Sequence, residues 1–158
     1  MLIRTSSQET INTLEAIFEK HKEERVCVLG TTCCGKTTLL KKFTNCADMD
    51  ETLWSLLTQE EMDFVCQKPW TKEIGDYFDK LIHTKIKIDK GIPMFGTVIP
   101  DCDVVVYLDI SDDLLEKHCQ KRNVNLADAK NMKSDIEHDW NNHRLKGGKR
   151  FYYLTITE

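Results

Sequence analysis

The stretch of sequence that decides the fold is Val26-Cys27-Val28-Leu29-Gly30-Thr31-Thr32-Cys33-Cys34-Gly35-Lys36-Thr37. It opens with a continuous apolar run, Val26 to Leu29, which is typical of a strand buried on both faces of a parallel sheet. Gly30 ends the run, and residues 30–37 match the pattern G-x-x-x-x-G-K-T. A helix is predicted to follow from Lys36 to about Phe43. The stretch therefore predicts a strand, a glycine-bounded loop and a helix in direct succession.

This pattern has the chemistry of a phosphate-binding loop. The glycines allow the backbone to wrap closely around a phosphate, and the loop amides from about Thr32 to Thr37 are suited to donate to the anion. The helix that begins at Lys36 adds the positive end of its dipole. We expect the Lys36 ammonium to reach the β- and γ-phosphates and the Thr37 hydroxyl to coordinate Mg²⁺. The predicted ATP-binding residues are Gly30, Thr31, Thr32, Cys33, Cys34, Gly35, Lys36, Thr37 and Thr38.

Helix and strand signals alternate on both sides of the loop, which is the α/β pattern. Besides the helix that starts at Lys36, helical spacing of apolar residues marks segments at 8–23, 52–57, 58–69, 70–82, 112–122 and 126–142. Besides the run at Val26, strand signals cover residues 85–89, 104–110 and 151–156. No repeat or linker divides residues 1–158. We predict a single α/β domain, a three-layer α/β/α sandwich with a mainly parallel sheet of about five strands, the P-loop NTPase fold.

Several of these helices have a recognisable start. Ser6 with Glu9, and Thr58 with Glu61, have the spacing of a capping box, in which the two residues satisfy each other's exposed backbone amides. Ser111 is predicted to cap the helix that follows it. These residues predict where three of the helices begin.

Composition narrows the range of functions. Among 158 residues, 22 are basic and 26 are acidic, and the net charge of −4 disfavours a nucleic-acid partner. No apolar run approaches the ~20 residues of a membrane span, and no secretory signal is expected. The seven cysteines are odd in number and contain no C-x-x-C, so we expect free thiols in a reducing compartment. A cytoplasmic protein without membrane contact is the expected class.

Three groups of carboxylates are candidates to hold Mg²⁺, which binds oxygen ligands directly or through water. Asp109 ends a hydrophobic strand, which is the general Walker-B arrangement. Asp89 ends the alternating stretch at 85–89, and Asp48 and Asp50 follow the helix that begins at Lys36. Strand ends in an open parallel sheet favour function, because ligands bind at the carboxyl edge. The sequence leaves the choice among these groups open.

Together these motifs resemble small P-loop kinases of the adenylate, shikimate and nucleoside kinase group. Asp48-Met49-Asp50 resembles the D-x-D of shikimate-kinase-like enzymes, where one Asp helps to hold Mg²⁺ and the other touches the acceptor. Asp89-Lys90-Gly91 resembles the D-R-G segment of several metabolite kinases. Residues 104–122 resemble the strand and helix that lead into a kinase lid, and Arg122 fits the place of a phosphate-clamping basic residue.

The resemblance implies a role for each of these residues. The implied catalytic residues are Lys36, Asp48, Asp89 and Arg122. The implied metal ligands are Thr37, Asp50 and Asp109. A lid-like segment is implied at about 120–150, and its basic run from Arg144 to Arg150 either closes over the transferring phosphoryl group or is a solvated loop. ATP and Mg²⁺ are the implied cofactors.

The expected function is ATP- and Mg²⁺-dependent phosphoryl transfer to a small metabolite, a nucleoside or a nucleotide. One alternative is a regulatory nucleotide-binding ATPase or switch module that has no small-molecule acceptor. Another is a polynucleotide-end kinase, which the net charge of −4 disfavours. A GTP switch is disfavoured as well, because the sequence lacks the N-K-x-D motif that reads guanine.

Overall fold

A parallel β-sheet runs through the centre of the computed structural model, which describes residues 2–5, 7–31, 36–67 and 71–156. Within these residues the strands are β1 (Leu2–Thr5), β2 (Val26–Gly30), β3 (Ala47–Asp48), β4 (Met94–Gly96), β5 (Val104–Ile110) and β6 (Arg150–Ile156). The helices are α1 (Ser7–Lys20), α2 (Lys36–Leu40), α3 (Met49–Leu56), α4 (Gln59–Val65), α5 (Lys72–Lys85), α6 (Asp112–Arg122) and α7 (Leu126–Lys146).

The strand order is β1-β6-β5-β2-β4-β3, and every neighbouring pair is parallel. All strands therefore end at one side of the sheet, here called the carboxyl edge, and begin at the opposite amino edge. β2 lies in the interior of the sheet between β5 and β4, and Gly30 at its end is in register with Leu108. The segment that follows β2 consequently emerges at the middle of the carboxyl edge.

Helices cover both faces of the sheet. Cys27 and Leu29 of β2 pack on one face with α3, α4, α5 and α7, while Val26 and Val28 pack on the other face with α1 and α2. A third cluster joins α6 and α7 through Leu115 and neighbouring residues. This arrangement confirms the predicted α/β class with a parallel sheet between helical layers. Six strands form the sheet in the described ranges, against the expected five or so.

The long apolar runs were interpreted correctly as strands. β2 is buried at every position, and β5 is buried at all positions except Asp109. The capping box of Thr58 and Glu61 is present, and Ser111 caps α6 by accepting from the Leu114 amide at 3.3 Å. The predicted cap at Ser6 lies outside the described residues.

The strand predicted over residues 85–89 is wrong. Lys85 is the last residue of α5, and residues 86–89 run as extended chain outside the sheet. Ile86 and Ile88 are buried in the core while Lys87 and Asp89 are exposed. The alternation that suggested a strand therefore reports one-sided burial and not pairing with a neighbouring strand.

The register of β2 against β5 is fixed at the amino edge by an ion-pair network. Arg25 precedes β2, and its side chain donates to both carboxylate oxygens of Asp103, which precedes β5, at 3.2 and 3.1 Å. The Arg25 amide also donates to Asp103 at 2.9 Å, and its guanidinium contacts Asp101 at 2.8 Å. The side-chain and backbone hydrogen bonds from Arg25 lower the pKa of Asp103 to about 2.

We expect Asp103→Asn to flatten the acid branch of the stability profile. The unfolded-state pKa of an aspartate is about 3.9, so the ionised form of Asp103 stabilises the fold above pH ~4. That contribution is lost as the pH falls through about 2. Because the carboxylate is about a third exposed, we expect an effect under ~1 kcal/mol. Urea unfolding between pH 7 and pH 2 measures it, with the exposed Asp113→Asn as control; equal pH profiles for the two variants contradict the assignment.

Candidate functional site

A cleft of about 1720 Å³ opens at the carboxyl edge of the sheet. Its lining comes from α2, α3, α5, α6 and α7 and from the end of β4. Lys36, Asp48, Asp50 and Arg122 all line this cleft, although up to 86 positions (122 less 36) separate them in the chain. Four residues that the sequence singled out for different reasons therefore share one cavity.

Lys36 lies where the glycine-bounded loop meets α2. Its Nζ donates to the carbonyl oxygen of Gly30 at 2.6 Å and to that of Thr31 at 2.7 Å. The ammonium is thus held against the end of β2, at the mouth of the cleft. Residues 32–35 and the side chain of Thr37 lie outside what the structure describes, so their predicted phosphate and metal contacts stay predictions.

Thr31 connects the start of the loop to α7. Its side chain is buried, and its Oγ1 donates to the carbonyl oxygen of Ala129 at 3.2 Å. A threonine at this position therefore serves the packing of α7 against β2 through its hydroxyl. The first turn of α7 is fixed beside the loop as a result.

Asp48 and Asp50 lie at the end of β3 and in the first turn of α3. The Asp48 side chain caps α3 by accepting from the Asp50 amide at 3.0 Å. Desolvation in the cleft, with a contribution from the Asp48 carboxylate, raises the pKa of Asp50, while the positive charge of Lys36 opposes that shift. The Asp48 carboxylate and the Lys36 ammonium therefore both lie near enough to influence the charge of Asp50.

Basic side chains from the last turns of α6 also line the cleft. His118, Lys121 and Arg122 are spaced three and four residues apart, so they share one face of the helix. Asn123 ends the helix in the left-handed conformation, with φ of 55°. The lining of the cleft therefore combines Lys36 with this basic face of α6.

Asp109 is engaged by other side chains. Lys133 of α7 places its Nζ 3.2 Å from Asp109 Oδ1, and Tyr153 donates its hydroxyl to Asp109 Oδ2. Lys133 also donates to the carbonyl oxygen of Ile110 at 2.8 Å and contacts Asp112 at 3.3 Å. Burial alone would lower the pKa of Lys133, but the two carboxylates outweigh it and the pKa is raised. An ammonium therefore lies beside the carboxylate for which the resemblance implies a metal role, and that role stays a prediction.

Asp89 lies at the other end of the sheet. It belongs to the segment that precedes β4, and nearby Gly91 donates its amide to the Glu24 carbonyl in the segment before β2. β2 has five residues, so its first and last residues are about 13 Å apart at ~3.3 Å per residue. The implied role of Asp89 beside the phosphates is corrected for this reason.

The end of the lid-like segment lies at the amino edge as well. Residues 126–146 form the single helix α7, and only its first half approaches the loop. After it, Lys149 donates to the carbonyl oxygen of Cys102 at 2.8 Å, and Arg150 pairs with Glu24. Of the implied lid, Arg122 and α7 as far as Asp139 line the cleft, whereas the run from Arg144 to Arg150 does not.

The donor set of the cleft fits Mg²⁺. Carboxylate oxygens are its preferred protein ligands, and one or two of them suffice when phosphates and water complete the shell. Asp50, which Asp48 accompanies, provides such oxygens near Lys36. Within the described ranges, no group of three or more His, Cys, Asp or Glu side chains forms a metal site by itself. A metal at this place is therefore expected to depend on a bound nucleotide.

Sequence reasoning missed two sets of residues. The first is Lys133, whose partner Asp109 is distant in sequence and whose helix carries many other charges. The second is a group of acidic side chains on α5 and α7 that line the cleft: Asp76, Asp79, Asp128, Asp135 and Asp139. Their spacing of three, four or seven residues on each helix was the available signal, because such residues share a helix face.

Close packing between β4 and α3 fixes the position of Asp48 and Asp50. A Cβ at Gly96 would lie 2.6 Å from Sδ and 2.8 Å from Cβ of Met49. The Cβ of Met49 is attached to the backbone of α3, so it cannot move away unless α3 moves. We expect Gly96→Ala to lower the free energy of unfolding by about 1–3 kcal/mol. Urea unfolding measures this change, and Mg²⁺-dependent nucleotide affinity should weaken in parallel. Wild-type values of the free energy of unfolding and of the nucleotide affinity would contradict this prediction, because they would show that α3 can move without loss.

The chain was compared with known proteins. No protein-family model matches it, and no curated protein matches it. Among the helices in the described part of the chain, none combines the length and the apolar character needed to cross a membrane.

Proposed function

We propose that the protein is a P-loop kinase that transfers the γ-phosphoryl group of ATP, with Mg²⁺, to a hydroxyl of a small metabolite of the nucleoside or nucleotide class. The observation that carries the proposal is the convergence of Lys36, Asp48, Asp50 and Arg122 on one cleft behind a G-x-x-x-x-G-K-T sequence. Positive charge for phosphates and carboxylates for metal or acceptor are the groups that phosphoryl transfer needs.

The order of the strands in the sheet supports the proposed P-loop fold. From β2 the chain moves through α2 to β3 on one side of β2, and later crosses to β5 on the other side. β2 is therefore the point at which the strand order reverses, and ligands of open α/β sheets bind at the carboxyl edge there. The glycine-bounded loop follows β2 at this place.

The volume of the cleft supports the binding of two substrates at the same time. Sites for single small molecules usually measure about 300–1,000 Å³, and this cleft measures about 1720 Å³. A nucleotide at the mouth would leave room beside it for an acceptor of comparable size. This observation favours a kinase over a switch module that binds one nucleotide.

Each residue has a task in the proposed reaction. Lys36 neutralises the β- and γ-phosphates and holds them in line, and Arg122 with its neighbours on α6 balances further charge. Asp48 accepts a hydrogen bond from the acceptor hydroxyl, and Asp50 contributes oxygen to the metal. Bound Mg²⁺ supplies charge neutralisation of the phosphate oxygens.

ADP release in the presence of Mg·ATP tests the proposal. The assay compares reactions with and without a pool of nucleosides, nucleotides and small hydroxylated metabolites. We expect the pool to accelerate ADP release and Arg122→Ala to reduce that acceleration. Slow release that no acceptor changes would contradict a kinase and would favour a nucleotide-gated switch module.

A further inference from the structure

Lys133 of α7 joins three elements at the carboxyl edge. Its Nζ donates to the carbonyl oxygen of Ile110, the last residue of β5, at 2.8 Å. The same Nζ lies 3.2 Å from Asp109 Oδ1 and donates to Asp112 Oδ1, in the first turn of α6, at 3.3 Å. The Lys133 side chain is only 16% exposed, so water competes little for these contacts. This residue therefore fastens α7 to β5 and to the start of α6.

One turn before Lys133, the same helix contacts the end of β2. Ala129 and Lys133 are four residues apart, so they lie on one face of α7, about 6 Å apart along its axis. The Ala129 carbonyl oxygen accepts from Thr31 Oγ1 at 3.2 Å. The Thr31 carbonyl oxygen in turn accepts from Lys36 Nζ at 2.7 Å. A continuous chain of contacts therefore runs from Lys133 through α7 and Thr31 to the Lys36 ammonium.

Apolar packing holds the two halves of α7 unequally. The buried residues of this helix are Ala129, Ile136 and Trp140. Among residues 126–133, which form its first two turns, Ala129 alone is buried, and it contributes a single methyl group. Ile136 and Trp140, in contrast, belong to the large core cluster on one face of the sheet. The position of the first turns therefore depends strongly on the hydrogen bonds that Thr31 and Lys133 make.

We propose that Lys133 is a positioning residue for the nucleotide, which fixes the first turns of α7 and thereby holds Thr31 and the Lys36 ammonium in place. The inference rests on the proposed binding of a nucleotide at Lys36, and it assigns a role to a side chain that contacts the protein instead of the nucleotide. A hydrogen bond of 3.2 Å, such as that from Thr31 to Ala129, is lost when its atoms separate by about half an ångström. Small shifts of α7 therefore suffice to release Thr31.

A double-mutant cycle tests the chain of contacts. Calorimetry measures the Kd of a non-hydrolysable ATP analogue with Mg²⁺ in Lys133→Met, Thr31→Val and the double variant. Valine keeps the branched shape of threonine without its hydroxyl. We expect each single variant to raise the Kd about fivefold, the usual effect of one lost hydrogen bond. The double variant should also raise it about fivefold, and not ~25-fold, because both substitutions interrupt the same chain.

Asp109→Asn/Lys133→Met distinguishes positioning from stability alone. This variant removes the unpaired charge and should recover stability, but it still lacks the contact with the Ile110 carbonyl. We therefore expect its Kd to stay about fivefold above the wild-type value. Lys130→Met is the matched control, because Lys130 is exposed on the same helix and does not line the cleft. Wild-type affinity in Asp109→Asn/Lys133→Met, or an equal loss in Lys130→Met, overturns the inference.

Amide hydrogen exchange of residues 129–135 in the nucleotide-free chain gives a measurement that does not depend on binding. We expect faster exchange in Lys133→Met than in Lys130→Met, because the first turns of α7 open more readily without the Lys133 contacts. Equal exchange in the two variants, or additive effects in the cycle, overturns the inference and leaves the proposed function intact. A wild-type chain that binds no nucleotide overturns both.

Discussion

Lys36→Ala is expected to reduce phosphoryl transfer by about 10²–10³-fold, the usual loss when one preorganised group that stabilises transition-state charge is removed. The Lys36 ammonium is held at the end of β2 by the carbonyl oxygens of Gly30 and Thr31. In the proposed reaction it moves onto the β- and γ-phosphates, and alanine leaves their charge without this partner. Single-turnover ADP formation in Mg·ATP with a productive acceptor measures the loss.

Lys41→Ala is the matched control, because Lys41 is exposed and follows directly after α2 outside the cleft. It removes the same charge from nearly the same place, so long-range attraction of ATP changes equally in both variants. We expect near wild-type turnover for Lys41→Ala. Equal losses in the two variants, or full activity in Lys36→Ala, would contradict the role of Lys36.

Lys133→Met is expected to lower the free energy of unfolding by about 1–3 kcal/mol, which is the usual cost of leaving a polar partner unsatisfied where water has little access. The side chains of Lys133 and Asp109 are only 16% and 15% exposed. Methionine fills the space of the lysine stem but leaves Asp109 with Tyr153 as its described partner. Urea unfolding at pH 7 measures the difference.

Asp109→Asn/Lys133→Met tests whether the loss comes from the unpaired charge. Asparagine keeps the shape of aspartate without its charge, so the double variant should recover a large part of the stability.

We also expect Asp109→Asn to leave the Mg²⁺ dependence of nucleotide binding unchanged, whereas Asp50→Asn should weaken it. Loss of Mg²⁺ dependence in Asp109→Asn would contradict this and would indicate that Asp109, near the end of β5, is the metal ligand.

The central part of the fold could be predicted because its signals are local. β2 and β5 are runs of apolar residues whose burial on both faces leaves no other structure for them. The short strands β3 and β4, with two and three residues, carry no pattern of their own. They form because neighbouring strands of the sheet offer them backbone hydrogen bonds. This contribution comes from the tertiary structure and leaves no signal in the sequence of the two segments.

The candidate site also combines local and tertiary contributions. The glycine-bounded loop after β2 singles out Lys36, whereas Asp48 and Asp50 were singled out by their place after the helix that begins at Lys36 and by the D-x-D resemblance. Asp89 and Asp109 were singled out as the ends of predicted strands, yet Asp89 lies at the amino edge and Asp109 is paired with Lys133. A strand that ends in aspartate indicates where a carboxylate lies in the fold. Whether another side chain neutralises that carboxylate depends on which helix packs against it.

The hydrogen bonds that Lys36 donates to backbone carbonyl oxygens define the state from which the proposed nucleotide binding would start. In the proposed function, the ammonium exchanges the carbonyl oxygens of Gly30 and Thr31 for phosphate oxygens. Hydrogen bonds to anionic acceptors are roughly twice as strong as those to neutral ones. We therefore expect this lysine to favour a ligand that carries phosphates over a nucleoside without them.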